Sequence, residues 1–416
     1  MTREDLTIGA VPRPSAPWEA RTPGFAVRAM TVELCARRYA SGLRAIVLTG
    51  SLARDEATWV RETGGSRLLG DAEFLLVFYP HAPLPPPSTL RALEEEIERA
   101  LGRDRIRGRV QLVPVYPTYF TELEPHILAY ELCVSGQAVW GDPHILSLIP
   151  SFIAADIPLE DAWRLLANRT IELLEVLYRF HDPPEIFAEN LAYRTSKLYL
   201  DMATSLLLFA GSYAPSYRER ELRLRGITVE REPPCGWPFD LKKFCRRVSD
   251  CTRGKLSGTM EPLTEGLLEE ALGHTLLLWR WQLRLLTHRE WSETNSPPME
   301  EWIRMQPLAS ALRGWAFVLR ACGWFRSWRQ WLRWAKLAAR ASPRFWVYEA
   351  AYDFLEWTPQ LLKLPAEASS VPLRCKEILE RLPLRTTHPD EGSDRGMRLA
   401  EEIAWNYHKF LEPTRA

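Results

Sequence analysis

Two short runs of sequence decide the fold of this chain: AIVLTGS at 45–51 and GDAEFLLVF at 70–78. Each run is apolar enough for a buried strand, and the first one ends in a Gly-Ser pair. Because side chains alternate between the two faces of a strand, Asp71 and Glu73 point to the same side. Two neighbouring carboxylates repel each other unless a cation or a proton offsets their charge. Oxygen-only ligand sets favour Mg²⁺ or Mn²⁺, so the second run predicts a divalent cation site.

The Gly-Ser pair at the end of the first strand predicts a phosphate-binding bend. Gly50 lets backbone approach a phosphate closely, and Ser51 offers a hydroxyl and an N–H at the start of a helix expected over 52–57. An ordinary turn is the alternative interpretation, since Gly-Ser is frequent in turns. The ordered context of strand, Gly-Ser, helix, strand with Asp-x-Glu, helix and strand favours the functional interpretation.

This ordered set resembles the nucleotidyltransferase fold of the polymerase-β-like superfamily, in its two-domain aminoglycoside-nucleotidyltransferase type. Family members often carry a Ser-x-x-Arg-Gly-Glu run after the first strand, and 51–56 matches it with Asp55 in place of the glycine. The resemblance implies that Asp71 and Glu73 are the catalytic carboxylates and hold the metal. It also implies nucleotide contacts at three residues of the bend region: Gly50, Ser51 and Arg54.

Two features depart from the family's pattern. The spacer from Ser51 to Asp71 holds nineteen residues, which is longer than usual, and Gly64-Gly65 suggests an inserted loop. The family's third carboxylate is expected on a later strand at 109–113, where the polar residue is Gln111. A glutamine coordinates a metal only through its carbonyl oxygen and cannot act as a base. Two acids in the segment 131–142, which also resembles the end of the family's catalytic module, are alternatives for the base: Glu131 and Asp142.

Length and composition narrow the class of protein. The 416 residues suffice for two or three domains of about 150 residues each. Lys and Arg total 53, as do Asp and Glu, which argues against nucleic acid as a partner. Seven cysteines without a Cys-x-x-Cys pair favour reduced thiols, and no apolar run resembles a signal or reaches the roughly eighteen residues of a membrane span. We therefore expect a cytoplasmic protein.

The pattern of apolar residues predicts an α+β protein, in which a small nucleotidyltransferase-like mixed-sheet α/β domain precedes a larger all-α helical bundle. Helix and strand patterns alternate up to about residue 150, with a helix expected over 26–43 and strands over 45–49, 72–79 and 109–115. Beyond residue 158 the apolar residues recur every three or four positions, which is typical of helices. We expect four segments: an N-terminal arm at 1–25, the nucleotidyltransferase-like domain at 26–150, a helical domain completing the cleft at 151–290, and a Trp/Arg-rich helical region at 291–416.

A helix expected over 189–210 carries a polar stripe on one face. Tyr193, Lys197 and Asp201 fall on this stripe. In the family that the chain resembles, a lysine of the helical domain contacts the triphosphate, so the resemblance implies nucleotide contacts at Lys197 and Tyr193. The alternative is a solvated helix face with a Lys197–Asp201 pair worth about 0.3 kcal/mol.

The segment 302–348 contains nine Lys or Arg residues and seven Trp but no acid. A helical projection places Arg329, Arg333 and Lys336 on one stripe and Trp328, Trp331 and Ala335 on the opposite one. Three interpretations stay open: the Trp residues form the core of the bundle, or the helix contacts a membrane surface, or it contacts a protein partner. A nucleic-acid surface is disfavoured by the balanced charge.

The resemblance implies a Mg²⁺-dependent (or Mn²⁺-dependent) nucleotidyltransferase. It would transfer a nucleoside monophosphate from a nucleoside triphosphate, most simply ATP, to a hydroxyl of a small molecule or protein. Because Gln111 stands where a carboxylate is expected, a second hypothesis remains. In that hypothesis the chain is a catalytically inactive relative that acts as a binding or membrane-surface module through its basic Trp-rich helices.

Overall fold

The structure is a computed structural model that describes residues 22–177, 179, 182–230, 236–260, 264–288, 298–322, 328–361, 373–384 and 395–411. The strands are β1 (Leu43–Thr49), β2 (Thr58–Glu62), β3 (Gly65–Phe78), β4 (Ile106–Val115) and β5 (Gln137–Gly141). The helices around them are α1 (Pro23–Tyr39), α2 (Gly50–Ala53), α3 (Pro87–Arg103), α4 (Thr118–Thr121) and α5 (Ile127–Ser135). Two 3₁₀ turns follow at Ile145–Leu148 and Ala154–Asp156.

The rest of the described chain is helical. Its helices are α6 (Leu159–Leu177), α7 (Pro184–Phe209), α8 (Tyr217–Glu230), α9 (Leu241–Ser257), α10 (Glu265–Thr287), α11 (Pro298–Arg304), α12 (Leu308–Cys322), α13 (Trp328–Ala338), α14 (Pro343–Leu361), α15 (Leu373–Arg381) and α16 (Arg395–Leu411). The predicted combination of a small sheet with many helices is confirmed. None of the helices within the described ranges is both long enough and apolar enough to cross a membrane.

The sheet is mixed, and β3 is its longest strand. β3 pairs antiparallel with β2 through its first half and with β1 through its second half, while β4 runs parallel along its other edge. β5 extends the sheet by pairing antiparallel with β1. The register places Thr49 opposite Glu73 and Glu73 opposite Gln111. The end of β1, the acidic part of β3 and the middle of β4 are therefore neighbours.

The spacer between the Gly-Ser pair and the acidic strand forms a β-hairpin, which corrects the expectation of an inserted loop. β2 and β3 pair from Glu62 opposite Gly65 to Thr58 opposite Leu69, and Gly64 takes the positive φ of +83° that a tight turn requires. Arg67 Nε donates to Glu62 Oε1 at 2.6 Å across the two strands. The helix expected over 52–57 is consequently only the single turn α2, and β3 begins seven residues before the predicted strand.

Each face of the sheet has its own apolar cluster. Ala72 and Phe74 lie in the cluster that β3 shares with α1 and α3, whereas Leu75 and Val77 pack on the opposite face with residues of α4 and α5. α1 begins at Pro23, earlier than the expected position 26, because Thr22 caps it by accepting a hydrogen bond from the Phe25 N–H at 3.2 Å. Of the predicted arm at 1–25, residues 1–21 lie outside the described residues.

The described chain divides into two compact units. Unit 1 comprises 22–158 together with Gly211–Arg223 and Thr252–Thr259, and unit 2 comprises the remaining described residues. Unit 2 has a core centred on Trp163, whose ring contacts Trp279 and Trp302 edge-on and stacks on Phe345. The predicted division into four segments, with boundaries at 150 and 290, stays a prediction.

Candidate functional site

The bend after β1 brings Glu73 against the backbone of Gly50. Gly50 has a φ of +71°, and a Cβ on this residue would lie only 2.7 Å from Glu73 Oε2. Both the backbone conformation and the space therefore require glycine. The acidic strand and the Gly-Ser bend, which lie more than twenty positions apart in sequence, meet at one place in unit 1.

Asp71 and Glu73 share one face of the sheet. Ala72 between them is fully buried on the α1 and α3 side, so strand alternation directs both carboxylates to the other side. A register irregularity between Arg67 and Asp71 precedes the pair, and Asp71 is half-exposed while Glu73 is partly buried. The two acids predicted to hold a metal are thus neighbours on one surface beside the bend.

Gln111 occupies the position of the expected third carboxylate. It lies opposite Glu73 in the parallel pairing of β3 with β4, and its side chain is exposed. Arg109, opposite Asp71, places its Nε 4.0 Å from Asp71 Oδ1, and its side chain is 86 % exposed. A pair this open to solvent is worth about 0–1 kcal/mol, so a divalent ion could displace Arg109. The oxygen-bearing side chains that the register brings together here are two carboxylates and one amide.

Ser51 is the second residue of α2, a helix of one turn only. α2 ends at Ala53, and the Ser51 carbonyl accepts the Glu56 N–H at 2.9 Å. A single turn has too few aligned peptide dipoles to attract an anion strongly. The predicted phosphate contact therefore depends on the Gly50 bend rather than on a helix terminus.

Arg54 forms ion pairs with two carboxylates. Its Nη1 donates to Glu131 Oε2 at 2.9 Å and its Nε lies 3.4 Å from Glu56 Oε2, with only 7 % of the side chain exposed. To contact a nucleotide phosphate, Arg54 would have to leave both buried acids, and each acid would lose a cationic partner. The geometry opposes the nucleotide contact predicted for this residue.

Glu131 is the centre of a buried set of charges within unit 1. It accepts hydrogen bonds from Arg54, from Tyr213 Oη at 2.7 Å and from Arg220. Burial alone would raise the pKa of Glu131, but the charges of Arg54 and Arg220 and the Tyr213 hydroxyl outweigh it and hold that pKa below its ordinary value. A carboxylate fixed in this way is a poor general base.

The same buried set joins four separate stretches of sequence. Glu56 accepts the Tyr217 N–H at 3.0 Å at the start of α8, and Lys255 Nζ donates to Thr58 Oγ1 at 3.2 Å. Arg54, Arg220 and Lys255 approach the Tyr217 ring at 5.5, 4.8 and 5.0 Å. Seven residues form what we name the buried charge cluster: Arg54, Glu56, Glu131, Tyr213, Tyr217, Arg220 and Lys255.

Sequence reasoning missed this cluster, although one signal for it exists. The α5 sequence ILAYELCVS is apolar except for a few positions, and an acid inside such a run is rarely buried without a partner. Asp142, the other alternative for a base, is also paired: Arg44 donates to its Oδ2 at 2.9 and 3.1 Å. The hydrogen bond from the His144 N–H, aided by Arg44, lowers the pKa of Asp142.

Lys197 and Tyr193 lie on α7 in unit 2. Burial, reinforced by Arg169, lowers the pKa of Lys197 to about 8. Asp201 bonds to Arg169 of α6, which differs from the Lys197–Asp201 pair considered as the alternative. Asp201 is buried, so the predicted polar stripe is partly inside the helical core.

The Trp-rich segment 302–348 contributes much of the unit 2 core. The indole of Trp315 donates to Ala341 O at 2.8 Å and that of Trp334 donates to Pro383 O at 2.8 Å. On α13 the buried side chains are Trp334 and Leu337, whereas Ala335, expected on the apolar stripe, is exposed. The helical projection also places Trp324 on the apolar stripe and Arg326 on the basic one; both lie outside the described residues, as does the Trp328 side chain.

Across the described ranges, no group of three or more His, Cys, Asp or Glu side chains is arranged to hold a metal ion. Comparison with known proteins gives no relative, because no family model matches the chain and neither a curated protein nor a solved structure is significantly similar to it.

Proposed function

We propose that the chain is a Mg²⁺-dependent nucleotidyltransferase that transfers a nucleoside monophosphate from ATP or another nucleoside triphosphate to a hydroxyl group. The observation that carries this proposal is the contact between Glu73 and the Gly50 bend, with Asp71 on the same face. Two carboxylates can bind a divalent metal ion. The neighbouring glycine bend, which has no side chain, leaves room for the phosphates that the metal also binds. The small sheet-containing domain followed by a helical domain belongs to the same proposal.

The donor set suits Mg²⁺ bound together with a nucleotide. Mg²⁺ is usually held by one or two carboxylates and substrate phosphates rather than by a complete protein cage. Asp71 and Glu73 would supply the carboxylates, and Gln111 would add a carbonyl oxygen from β4. When bound, the metal would neutralise charge on the phosphates during the transfer. Lys197 and Tyr193 enter the proposal through the family resemblance alone.

Calorimetric titration of ATP, with Mg²⁺ and with a chelator, tests the proposal. We expect the native chain to bind ATP only in the presence of Mg²⁺, and Asp71→Asn with Glu73→Gln to weaken this binding at least about tenfold, since each lost ligand costs more than about 1 kcal/mol. Glu95→Gln, which changes an exposed acid of α3, is the matched control and should bind normally. Equal binding by the double variant and the control would contradict the metal site.

Gln111→Asp provides a gain-of-function test. The added carboxylate would lie opposite Glu73 in the strand register. We expect tighter Mg²⁺-dependent ATP binding and, with an acceptor present, faster release of pyrophosphate. An unchanged metal affinity in Gln111→Asp would indicate that the ion does not reach β4.

A second candidate function is a binding module without catalysis. Two observations favour it: Gln111 replaces the expected base, and both Glu131 and Asp142 are bound to arginines. In unit 2, Leu308 and Leu312 of α12 are 63 % and 59 % exposed and lie near the exposed cation Arg313 in sequence. Such a helix face could enter the surface of an anionic membrane.

Sedimentation with anionic vesicles separates this function from transfer chemistry. The binding-module candidate predicts that the native chain sediments with the vesicles and that Leu312→Gln with Arg313→Glu stays in solution. Neutral vesicles and the control Glu401→Gln, an exposed residue of α16, complete the comparison. Equal sedimentation with anionic and neutral vesicles would contradict this candidate. Equal sedimentation of the native chain and the double variant would contradict it as well.

A further inference from the structure

Unit 2 contains a cavity of about 560 Å³ that the proposed transfer chemistry does not use. Met299 and Ile303 of α11 and Trp346 of α14 give it apolar walls, and Glu349 and Asp353 of α14 also line it. The volume lies within the roughly 300–1,000 Å³ typical of small-molecule sites. The cavity thus combines an apolar surface with two acids one helical turn apart.

Glu349 presents a carboxylate oxygen that no described group satisfies. The residue is 7 % exposed, and Arg381 Nη1 donates to its Oε1 at 3.1 Å. Its Oε2 is buried and has no hydrogen-bond partner within the described part of the chain. An unsatisfied buried acceptor costs about 1–3 kcal/mol, so a donor that enters the cavity would recover this energy.

Asp353 adds a second buried acid. It is 5 % exposed and lies four residues after Glu349, on the same side of α14. Two carboxylates so placed repel each other when both are ionised. Among the described side chains that line the cavity there are four carboxylates and three guanidinium groups, a net charge of −1 for this part of the lining.

Two of the three described arginines that line the cavity are paired with acids, and the third, Arg340, is exposed. Arg304 donates to Glu300 at 2.6 Å, and Arg381 is bound to Glu349. An incoming anion would compete with these pairs, whereas an incoming cation would meet the buried Oε2 of Glu349, which has no hydrogen-bond partner within the described part of the chain. The charge balance therefore favours a cationic ligand.

We propose that this cavity binds a small organic cation, whose ammonium group is held between Glu349 and Asp353 and whose apolar body packs on Trp346. An ammonium group offers three N–H donors, enough to serve both acids. The Trp346 ring provides an apolar and cation-attracting surface beside them. None of the residues of the proposed nucleotide site lines this cavity, so the two proposals are independent.

The binding depends on pH through Glu349. Burial, reinforced by Asp353 and Glu300 and opposed by Arg381, raises the pKa of Glu349 to about 7. The other charged groups that line the cavity are Arg304 and Arg340, with Glu377 from α15. An ammonium ligand selects the ionised carboxylate, so binding releases a proton below pH 7. Affinity should then rise about tenfold from pH 6 to pH 8.

Calorimetric titration of the full chain tests the proposal with three probes: benzylamine, 1,4-diaminobutane and benzyl alcohol. We expect at least one of the two amines to bind and the neutral alcohol, which matches benzylamine in shape, to bind at least about tenfold more weakly. Glu349→Gln and Asp353→Asn should each reduce amine affinity at least about tenfold. Glu380→Gln, an exposed acid on the same helix as Arg381, should leave the affinity unchanged.

Three results would overturn the proposal. They are the failure of both amines to bind at millimolar concentration, equal binding of amine and alcohol, and native affinity in both Glu349→Gln and Asp353→Asn. A thermal melt of each variant verifies that it is folded. If either Glu349→Gln or Asp353→Asn is unfolded, the affinity of the other variant decides the test. Because ATP binding is measured separately, failure here does not affect the nucleotidyltransferase proposal.

Discussion

Gly50 is the residue at which local geometry matters most for the proposed site. Its φ of +71° lies in the left-handed region, and Glu73 Oε2 occupies the space of a side chain. The bend therefore fixes the position of a carboxylate as well as the direction of the chain. A single methyl group would disturb both.

We predict that Gly50→Ala lowers the free energy of unfolding by about 1–3 kcal/mol, because alanine is strained at this φ and displaces Glu73. Urea denaturation measures the change. Gly102→Ala is the matched control, since Gly102 is near the end of α3 with open space around it. This control should be neutral or stabilising by up to about 1 kcal/mol. A similar loss in both variants would argue against the strained bend.

Lys197 illustrates how burial sets the behaviour of a single charge. Its pKa falls from 10.5 to about 8, first through burial and then through Arg169. Between pH 8 and 10.5 the unfolded chain binds the proton more readily, so native stability rises with pH in this window. Below pH 8 the charged lysine opposes folding.

We predict that Lys197→Met is more stable than the native chain at pH 7 by roughly 1–3 kcal/mol. The difference should shrink as the pH approaches 10.5, because the native lysine is then neutral. Denaturant titrations at pH 7 and pH 10 measure it, with the exposed Lys336→Met as control. A difference that does not depend on pH would contradict the buried charge. A loss of ATP binding in the same variant would support a role for Lys197 at the phosphates.

At the level of elements, the buried charge cluster fixes α5 and the start of α8 to the α2 turn within unit 1. Glu131 and Glu56 are the only two acids among its seven members, and they hold Arg54 and Arg220 between them. Such a network is strongly destabilised when one partner is removed, because the remaining charges stay buried.

We predict that Glu131→Gln lowers the free energy of unfolding by about 3–5 kcal/mol at neutral pH. The pKa of Glu131 is lowered, so its contribution exists above the ordinary value of 4.5 and is lost as the pH falls below it. The native chain and the variant should therefore become similar on acidification. Thermal melts at intervals of about one pH unit between pH 3 and 7 measure the stability difference between the native chain and the variant. The exposed Glu122→Gln is the control. A constant difference across this range would contradict the ion pairing.

The hairpin of β2 and β3 shows a different limit of sequence reasoning. The spacer contains Gly64-Gly65, which indicates a turn, but the alternation of its flanking residues is weak. Pairing with β3 decides its structure: the residues from Thr58 to Glu62 lie opposite those from Leu69 to Gly65. The turn was visible in the sequence, whereas the second strand required its partner.

For the whole molecule, unit 1 is discontinuous in sequence. Gly211–Arg223 and Thr252–Thr259 belong to it, although α6 and α7 precede them in the chain. Gly258 approaches β2 so closely that a Cβ there would collide with the Trp59 carbonyl. The unit therefore depends on segments that lie well beyond the predicted domain end at residue 150.

We predict that a fragment of residues 22–158 does not unfold cooperatively, because Glu56 and Glu131 lose the donors of Gly211–Arg223. Circular dichroism melts of the fragment and of the full chain measure this. A cooperative transition of the fragment near the midpoint of the full chain would show that the two returning segments are dispensable.

The sequence by itself determined the strands around 45–49 and 72–78, the glycine bend, and the shared face of Asp71 and Glu73. These features depend on dihedral preferences and on side-chain periodicity, which act over a few residues. It also determined the helical character of the region after residue 158, through the recurrence of apolar residues.

Only the tertiary structure decided which charges meet. Arg54 and Glu131 pair across 77 positions, and the open oxygen of Glu349 follows from the packing of α11 and α15 around α14. An ion pair or a cavity depends on distances between atoms that chain folding brings together, and burial then alters the charge energetics. Sequence spacing contains neither quantity. The family resemblance implied a nucleotide contact for Arg54, whereas the fold places this residue between two acids.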